Sequence, residues 1–111
     1  MSKNALSELL TEMASYGKTI DDIFEYHILF SPRENGVNDK AYKDVKGADI
    51  EKLKDFLYMD YETDINFQKL HGWVSFRDGS WLERFFDFNT EYWILMRRPT
   101  IENDREYLKK I

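Results

Sequence analysis

Residues 72–99 read GWVSFRDGSWLERFFDFNTEYWILMRRP and decide the fold of this chain. They contain all three of its tryptophans and four of its eight phenylalanines, and aromatic residues favour β-strands. Two short polar segments, Asp78-Gly79 and Asn89-Thr90, interrupt the run where an extended chain can reverse. The stretch therefore predicts a three-stranded antiparallel meander.

The two reversals set the pairing of these strands. Asp78-Gly79 is the strongest hairpin signal in the chain, because a two-residue type I′ turn needs residues that accept positive φ at both positions. If Asp78 and Gly79 form the loop, Phe76 lies opposite Trp81. Asn89-Thr90 would close the second hairpin, and it is the poorer turn because threonine disfavours positive φ.

Since side chains alternate along a strand, this register divides the meander into two faces. The more apolar face is predicted to be the core face, and it carries Val74, Phe76, Trp81, Phe85, Tyr92, Ile94 and Met96, with Glu83 as its polar member. The opposite face mixes large aromatic residues with arginines: Trp73, Arg77, Arg84, Phe86, Trp93 and Arg97.

Tryptophan and arginine dominate the hot spots of protein interfaces, so one interpretation of this second face is a partner-binding surface. The alternative is a second core layer, with the arginine stems lying over the aromatic rings. A shift of one residue in the register would exchange the two faces.

The rest of the chain predicts elements that pack on the meander. Residues 4–16 and 49–58 show the apolar spacing of amphipathic helices. The apolar and polar residues alternate over 23–31 and predict a strand. A loop is predicted at 33–47, with a short edge strand at 41–45. The last residues, 100–111, predict a short docked helix or a frayed end. The expected fold class is α+β, an antiparallel β-meander of three to four strands with two helices packed on one face.

Length and composition narrow the classes of function. A chain of 111 residues with 42% hydrophobic residues supports one domain, which we place at residues 1–111. The net charge of −5 disfavours a general polyanion binder and permits binding to a basic protein surface. No apolar run approaches the roughly 20 residues that cross a bilayer, and the first residues lack the features of a signal peptide, so we expect a cytoplasmic protein without membrane partners.

An acidic stretch follows the second predicted helix. Asp55, Asp60, Glu62 and Asp64 occur without a basic residue among them. One interpretation is a solvated helix end and loop. The other is an acidic surface that imitates phosphates or docks onto basic residues of a partner. These carboxylates lack the glycine-centred loop of a calcium site, so no metal is expected.

Catalytic signatures are weak. Without cysteine there is no thiolate nucleophile. Gly17-Lys18-Thr19 has the form of the end of a phosphate-binding loop, but Glu12 stands where that loop needs its first glycine. The remaining enzymatic arrangement would combine His71 with a serine and Glu83. We therefore expect no enzyme and no cofactor.

Two motifs resemble a known group of sequences. Gly17-Lys18-Thr19 followed by Asp22 resembles the GKT-x-x-D opening of small uncharacterised proteins carried by phages and mobile elements. Trp81-Leu82-Glu83-Arg84, then Asp87, Glu91, Trp93 and Pro99, resembles their tryptophan-rich close. This chain departs from that pattern at Phe88-Asn89-Thr90, where a glycine-containing turn is expected, and at Tyr92, which replaces the first of two tryptophans. The resemblance implies a genetic context more than a chemistry.

From these features we expect a non-enzymatic phage or mobile-element accessory protein that binds and inhibits a host or defence protein, as an anti-CRISPR protein does. The acidic residues would face a basic nucleic-acid-binding surface of that protein, and the sheet aromatics would supply affinity. The alternative is a single-stranded nucleic-acid binder that stacks bases on Trp73, Phe86 and Trp93 beside the arginines. Net acidity disfavours the alternative.

Overall fold

The structure is a computed structural model that describes residues 2–32, 42–63 and 66–99. Residues 33–41 of the predicted loop, the predicted partner residue Asp64 and the predicted C-terminal segment 100–111 lie outside the described residues.

Two α-helices and seven strands form within the described ranges. In chain order they are β1 (Ser2–Asn4), α1 (Ala5–Ser15), β2 (Ile23–Phe30), β3 (Lys43–Gly47), α2 (Ile50–Leu57), β4 (Asp60–Glu62), β5 (Leu70–Phe76), β6 (Trp81–Asp87) and β7 (Thr90–Met96). Strands β1 and β4 form a small antiparallel sheet, and the other five form an antiparallel sheet in the order β3-β2-β5-β6-β7. The α+β class and the antiparallel pairing are confirmed, whereas the predicted strand number of three to four is too low.

Both helices begin at residues whose side chains cap them. The Asn4 side chain accepts a hydrogen bond from the backbone N–H of Ser7 at 2.9 Å, and Asp49 accepts one from the N–H of Glu51 at 2.9 Å. Gly17, with a φ of 72°, follows α1 in the left-handed conformation that often ends a helix. Among the described residues, no helix has the length and apolar character needed to span a membrane.

The two helices pack on one face of the five-stranded sheet, here called the inner face. Their buried residues join the side chains of β2, β5, β6 and β7 in one apolar cluster, formed by Ala5, Leu9, Met13, Ile23, Tyr26, Ile28, Leu53, Leu57, Tyr61, Leu70, Val74, Phe76, Leu82, Trp93 and Leu95. Burying each large side chain of this kind contributes roughly 1.5–3 kcal/mol, so this cluster can hold the helices and the sheet together.

The β5–β6 hairpin differs from its predicted register by one residue. The N–H of Phe76 donates to the carbonyl of Ser80 at 2.9 Å, and the N–H of Gly79 donates to the carbonyl of Phe76 at 3.0 Å. The loop therefore contains three residues, of which Gly79 has positive φ at 90° and Asp78 does not. The Asp78 carboxylate instead accepts from the N–H and the hydroxyl of Ser80, at 2.9 and 2.5 Å. The predicted type I′ turn at Asp78-Gly79 is wrong.

The β6–β7 hairpin does close with a two-residue turn, one position earlier than predicted. Asp87 pairs with Thr90, which leaves Phe88 and Asn89 as the loop. Their φ values of 51° and 63° are those of a type I′ turn. The predicted loop Asn89-Thr90 is therefore wrong, but because it is displaced by one residue at both ends, β6 and β7 keep the shared faces that were predicted.

The slip in the first hairpin reverses the predicted faces of β6 and β7 relative to β5. Val74 and Phe76 point to the core as predicted. The other residues assigned to the core face, Trp81, Phe85, Tyr92, Ile94 and Met96, lie half-buried on the opposite side. Leu82, Arg84, Trp93 and Leu95 are buried in their place.

Candidate functional site

The face of the five-stranded sheet that turns away from the helices is the candidate binding surface, here called the outer face. In the β2–β5–β6–β7 register it carries Glu25, His27, Leu29, His71, Trp73, Ser75, Trp81, Glu83, Phe85, Asp87, Thr90, Tyr92, Ile94 and Met96. Each of these side chains is half-buried or exposed. A rigid sheet thus presents neighbouring aromatic and aliphatic groups, the kind of surface that marks an interaction site.

A cavity opens on the outer face over strands β5 and β6. Trp73 lies opposite Glu83, and Ser75 lies opposite Trp81, so that the two tryptophans occupy diagonal corners of a four-residue square. The short side chain of Ser75 leaves the space between the two indoles unfilled. The resulting cavity has a volume of about 340 Å³ and is lined by Trp73, Ser75, Gly79, Trp81, Glu83 and Arg98.

Hydrogen bonds fix the polar groups in this cavity. The indole Nε1 of Trp81 donates to Oε1 of Glu83 at 3.0 Å, which holds the carboxylate beside the ring. The Ser75 hydroxyl donates to the backbone carbonyl of Glu25 at 2.9 Å and accepts from its N–H at 3.2 Å. Glu83 is therefore a positioned anion, whereas the Ser75 hydroxyl is committed to the backbone of β2.

The enzymatic arrangement considered from the sequence does not assemble in this cavity. His71 is not among its lining residues. The Nε2 atom of His71 lies 3.1 Å from the backbone carbonyl of Gln68. Ser80 is buried and bonded to Asp78. Glu83 and Ser75 thus share the cavity without a histidine to activate the serine.

The predicted partner residues of the sheet divide between two environments. Trp73 lies on the outer face with 36% of its surface exposed. Arg77 and Arg97 are exposed beyond the ends of β5 and β7, and Nε of Arg77 donates to the carbonyl of Asp21 at 3.2 Å. Phe86 is half-buried on the inner face. The interpretation of Arg84 and Trp93 as surface residues is wrong, since only 6% and 3% of their surfaces are exposed.

Arg84 belongs to a buried polar group with Glu8, Tyr61 and Glu91, here called the Arg84 cluster. Its Nη1 lies 3.1 Å from Oε2 of Glu8, and its Nη2 lies 2.8 Å from both Oε1 of Glu91 and the Tyr61 hydroxyl. The Tyr61 hydroxyl donates to Oε1 of Glu8 at 2.6 Å. Glu91 also accepts from the N–H groups of Lys69 and Leu70, at 2.9 and 3.0 Å. The guanidinium thereby ties α1, β4 and β7 together beneath β6.

The two carboxylates of the Arg84 cluster favour the charged form of its guanidinium. Burial by itself would lower the pKa of Arg84, but the charge of Glu8, together with Tyr61 and Glu91, raises it above the ordinary value. Burial raises the pKa of the Tyr61 hydroxyl in turn. All the members have hydrogen-bond partners inside the fold, so the arrangement is that of a structural network.

A larger cavity lies beside this cluster, between α1 and β7. Its volume is about 490 Å³, and its lining includes Glu8, Glu12 and Glu91. Glu8 and Glu91 already bind Arg84, and the described residues contain no group of histidine, aspartate and glutamate side chains that could hold a metal ion. The cleft is therefore a weaker candidate site than the outer face.

The acidic residues predicted to join the partner surface lie on the helix side of the molecule. Asp55 is exposed on α2, whose Leu53 and Leu57 face the sheet. Asp60 and Glu62 are exposed on β4, and Oδ1 of Asp60 accepts from Nδ2 of Asn4 at 3.1 Å. The acidic residues and the outer-face aromatics therefore lie on opposite sides of the sheet and do not form one continuous surface.

Comparisons with protein families, with curated proteins and with solved structures found no match to this chain. The candidate site consequently rests on geometry alone. Sequence reasoning placed Ser75 on the face of Trp73, but it missed Trp81 and Glu83 as surface residues because it assigned the wrong register to the first hairpin. A three-residue loop at 77–79 would have placed them beside Trp73.

Proposed function

We propose that this chain is a non-catalytic binding domain that uses its outer face to bind a partner protein. The observation that supports this most is the diagonal placement of Trp73 and Trp81 around an open cavity on the outer face. Tryptophan contributes strongly to binding when a partner excludes water from it. A sheet holds such groups in fixed positions, which lowers the entropy lost on association.

A protein partner fits this face better than single-stranded nucleic acid. Stacking of bases on aromatic rings needs arginine or lysine nearby to neutralise the phosphates. Arg84, which the alternative requires, is buried and paired with Glu8 and Glu91. The face itself carries Glu83, and the chain has a net charge of −5. Both charges oppose a polyanion.

In the context implied by the resemblance to phage and mobile-element proteins, the partner is a host or defence protein and the chain is its inhibitor. A domain without an assembled catalytic site inhibits by covering a functional surface. The outer face would make the primary contact. Asp55, Asp60 and Glu62, on the helix side, would meet a basic group only if the partner reaches around the domain or binds a second surface.

The experiment that tests the proposal places a photo-crosslinking amino acid at position 85 on the outer face. The matched control position is 58, because Tyr58 is 76% exposed and lies at the end of α2 on the helix side. Irradiation in the native host should attach one protein through position 85 and not through position 58. Mass spectrometry identifies that protein.

The purified partner then allows affinities to be measured. Trp73→Ala should weaken binding by at least about tenfold, which corresponds to roughly 1.4 kcal/mol, whereas Tyr58→Ala should change it by less than about twofold. Crosslinking through position 58 alone, or equal affinities of the two variants, would overturn the proposal. Crosslinking of position 85 to nucleic acid would support the alternative function.

A further inference from the structure

The cavity between Trp73 and Trp81 has the composition of a site for a positively charged group. Its lining includes the two indole rings and the carboxylate of Glu83, which accepts a hydrogen bond from Nε1 of Trp81 at 3.0 Å. The face of an indole attracts cations more strongly than that of any other aromatic side chain. The Glu83 carboxylate, which lies next to both tryptophans in the register, adds a negative charge.

Among the residues that line the cavity, the cation is Arg98. Within the described residues, the contacts between cations and rings are those of Lys18 with Phe76, Lys69 with Phe67 and Arg84 with Trp93. Neither Trp73 nor Trp81 is among these rings.

Arg98 is the residue of the cavity that opposes this assignment. It contributes to the lining after the end of β7, and its side chain is exposed. The charge of an exposed guanidinium is screened by water and salt, whereas Glu83 is half-buried and is screened less. The negative charge of Glu83 therefore outweighs the positive charge of Arg98, and the cavity favours a cation. Glu83 would strengthen binding of a cation and Arg98 would weaken it.

We infer that this cavity binds a lysine or arginine side chain of the partner protein, inserted between Trp73 and Trp81 against the Glu83 carboxylate. This inference rests on the proposed function, because it names the group through which the outer face would recognise a protein. An anionic side chain would repel the Glu83 carboxylate. A purely apolar side chain would shield that carboxylate from water without supplying a positive charge.

The test uses model peptides and two-dimensional NMR of the indole N–H signals. The probe is the pentapeptide acetyl-Gly-Gly-Lys-Gly-Gly-amide, and the matched controls carry Nε-acetyl-lysine or glutamate at the centre. The lysine peptide should shift the signals of Trp73 and Trp81 saturably, with a dissociation constant on the order of 10 mM, a weak affinity typical of a single side chain. The indole of Trp93 is buried and should not respond.

Two variants separate the roles of the charged residues in the cavity. Glu83→Gln should weaken binding of the lysine peptide by at least about fivefold. Arg98→Gln should leave it unchanged or tighten it. An unshifted Trp93 signal reports that each variant keeps its fold. Preference for the glutamate peptide, equal binding of the acetylated peptide, or no saturable shift would overturn the inference.

The results distinguish this inference from the proposed function. If position 85 crosslinks to a partner and Trp73→Ala weakens the complex while the lysine peptide does not bind, the outer face binds protein through another group. If the lysine peptide binds as expected but no protein crosslinks through position 85, the proposed function fails and the cavity still binds cations.

Discussion

Arg84 lies opposite Trp93 in the β6–β7 register, and its guanidinium carbon is 5.1 Å from the centre of the indole ring. Both residues face the helices rather than solvent. The indole covers one side of the charge while Glu8 and Glu91 bind its N–H groups. The pair that resembles a binding hot spot in the sequence is therefore part of the core, where the aromatic ring helps to keep water from a buried ion network.

Removal of Arg84 should destabilise the fold more than any other single charge substitution at a described position. Arg84→Met leaves Glu91 buried and Glu8 mostly buried without their cation, and such a loss costs about 3–5 kcal/mol. Urea unfolding followed by tryptophan fluorescence measures the free energy of unfolding. Arg77→Met, at an exposed arginine, is the matched control and should cost less than about 1 kcal/mol.

A double variant separates the ion pair from the loss of packing. Glu91→Gln combined with Arg84→Met removes a negative charge that Arg84→Met alone leaves unpaired. Its cost should be smaller than the sum of the two single costs by about 1–3 kcal/mol. Additive costs would contradict the assignment of Glu91 as a partner of Arg84.

Gly72 should tolerate no side chain. It lies in β5 opposite Ile28 with a φ of 116°, and a Cβ atom there would be 2.0 Å from the backbone carbonyl oxygen of His27. Gly72→Ala would force β2 and β5 apart at the centre of the sheet, so we expect a loss of at least about 3 kcal/mol in the free energy of unfolding. Gly47→Ala is the control, because Gly47 has a φ of 134° but open space around it. It should cost only about 1–2 kcal/mol in the same urea experiment.

The tip of the β6–β7 hairpin should become more stable on substitution. Phe88 is 91% exposed and adopts a φ of 51°, a conformation that asparagine and glycine accept more readily than phenylalanine. Phe88→Asn should therefore raise the free energy of unfolding by about 0.5–1 kcal/mol, measured by urea or thermal unfolding. The control is Phe24→Asn, which also removes an exposed ring, since Phe24 is 52% exposed but has no positive φ. This variant should not raise the free energy of unfolding. A loss of stability in Phe88→Asn would contradict this account of the turn.

Helix positions could be predicted from local signals. The caps at Asn4 and Asp49 and the left-handed Gly17 depend on neighbouring residues in the chain, and the helices form at Ala5–Ser15 and Ile50–Leu57, close to the predicted 4–16 and 49–58. Strand β2 likewise follows from its own alternation. The short strands β1 and β4 pair over a distance of about 60 residues in sequence, and each has only three residues. A strand of that length carries no periodicity from which to predict it.

The candidate site depended on one turn, and distant residues determine that turn. The backbone N–H of Arg77 donates to the carbonyl of Asp22 at 2.9 Å, and the Asp78 carboxylate forms an ion pair with Lys18. Both contacts come from the segment after α1, which sequence reasoning could not place beside the hairpin. Since the shift moves β6 by one residue, Trp81 and Glu83 came to the outer face while Arg84 entered the core.

The Lys18–Asp78 ion pair should make part of the stability depend on pH. Its hydrogen bond from Lys18, together with those from Ser80, holds the pKa of Asp78 well below the ordinary value of 3.8. A carboxyl group whose pKa is lowered by folding stabilises the native state above its unfolded pKa, and this contribution is lost as the pH falls below about 4 towards the folded pKa. Asp78→Asn can keep the hydrogen bond from the Ser80 N–H but loses the charge. Because Asp78 is 54% exposed, we expect a cost of only about 0.5–1 kcal/mol at pH 7. Unfolding curves of Asp78→Asn and of the unsubstituted protein, measured from pH 7 to pH 2, should show the difference in stability shrinking below pH 4.

The control is Asp87→Asn, at an exposed carboxylate at the end of β6, whose stability should differ little from that of the unsubstituted protein throughout. A difference for Asp78→Asn that stayed constant down to pH 2 would mean that the carboxylate contributes through turn geometry and not through its charge.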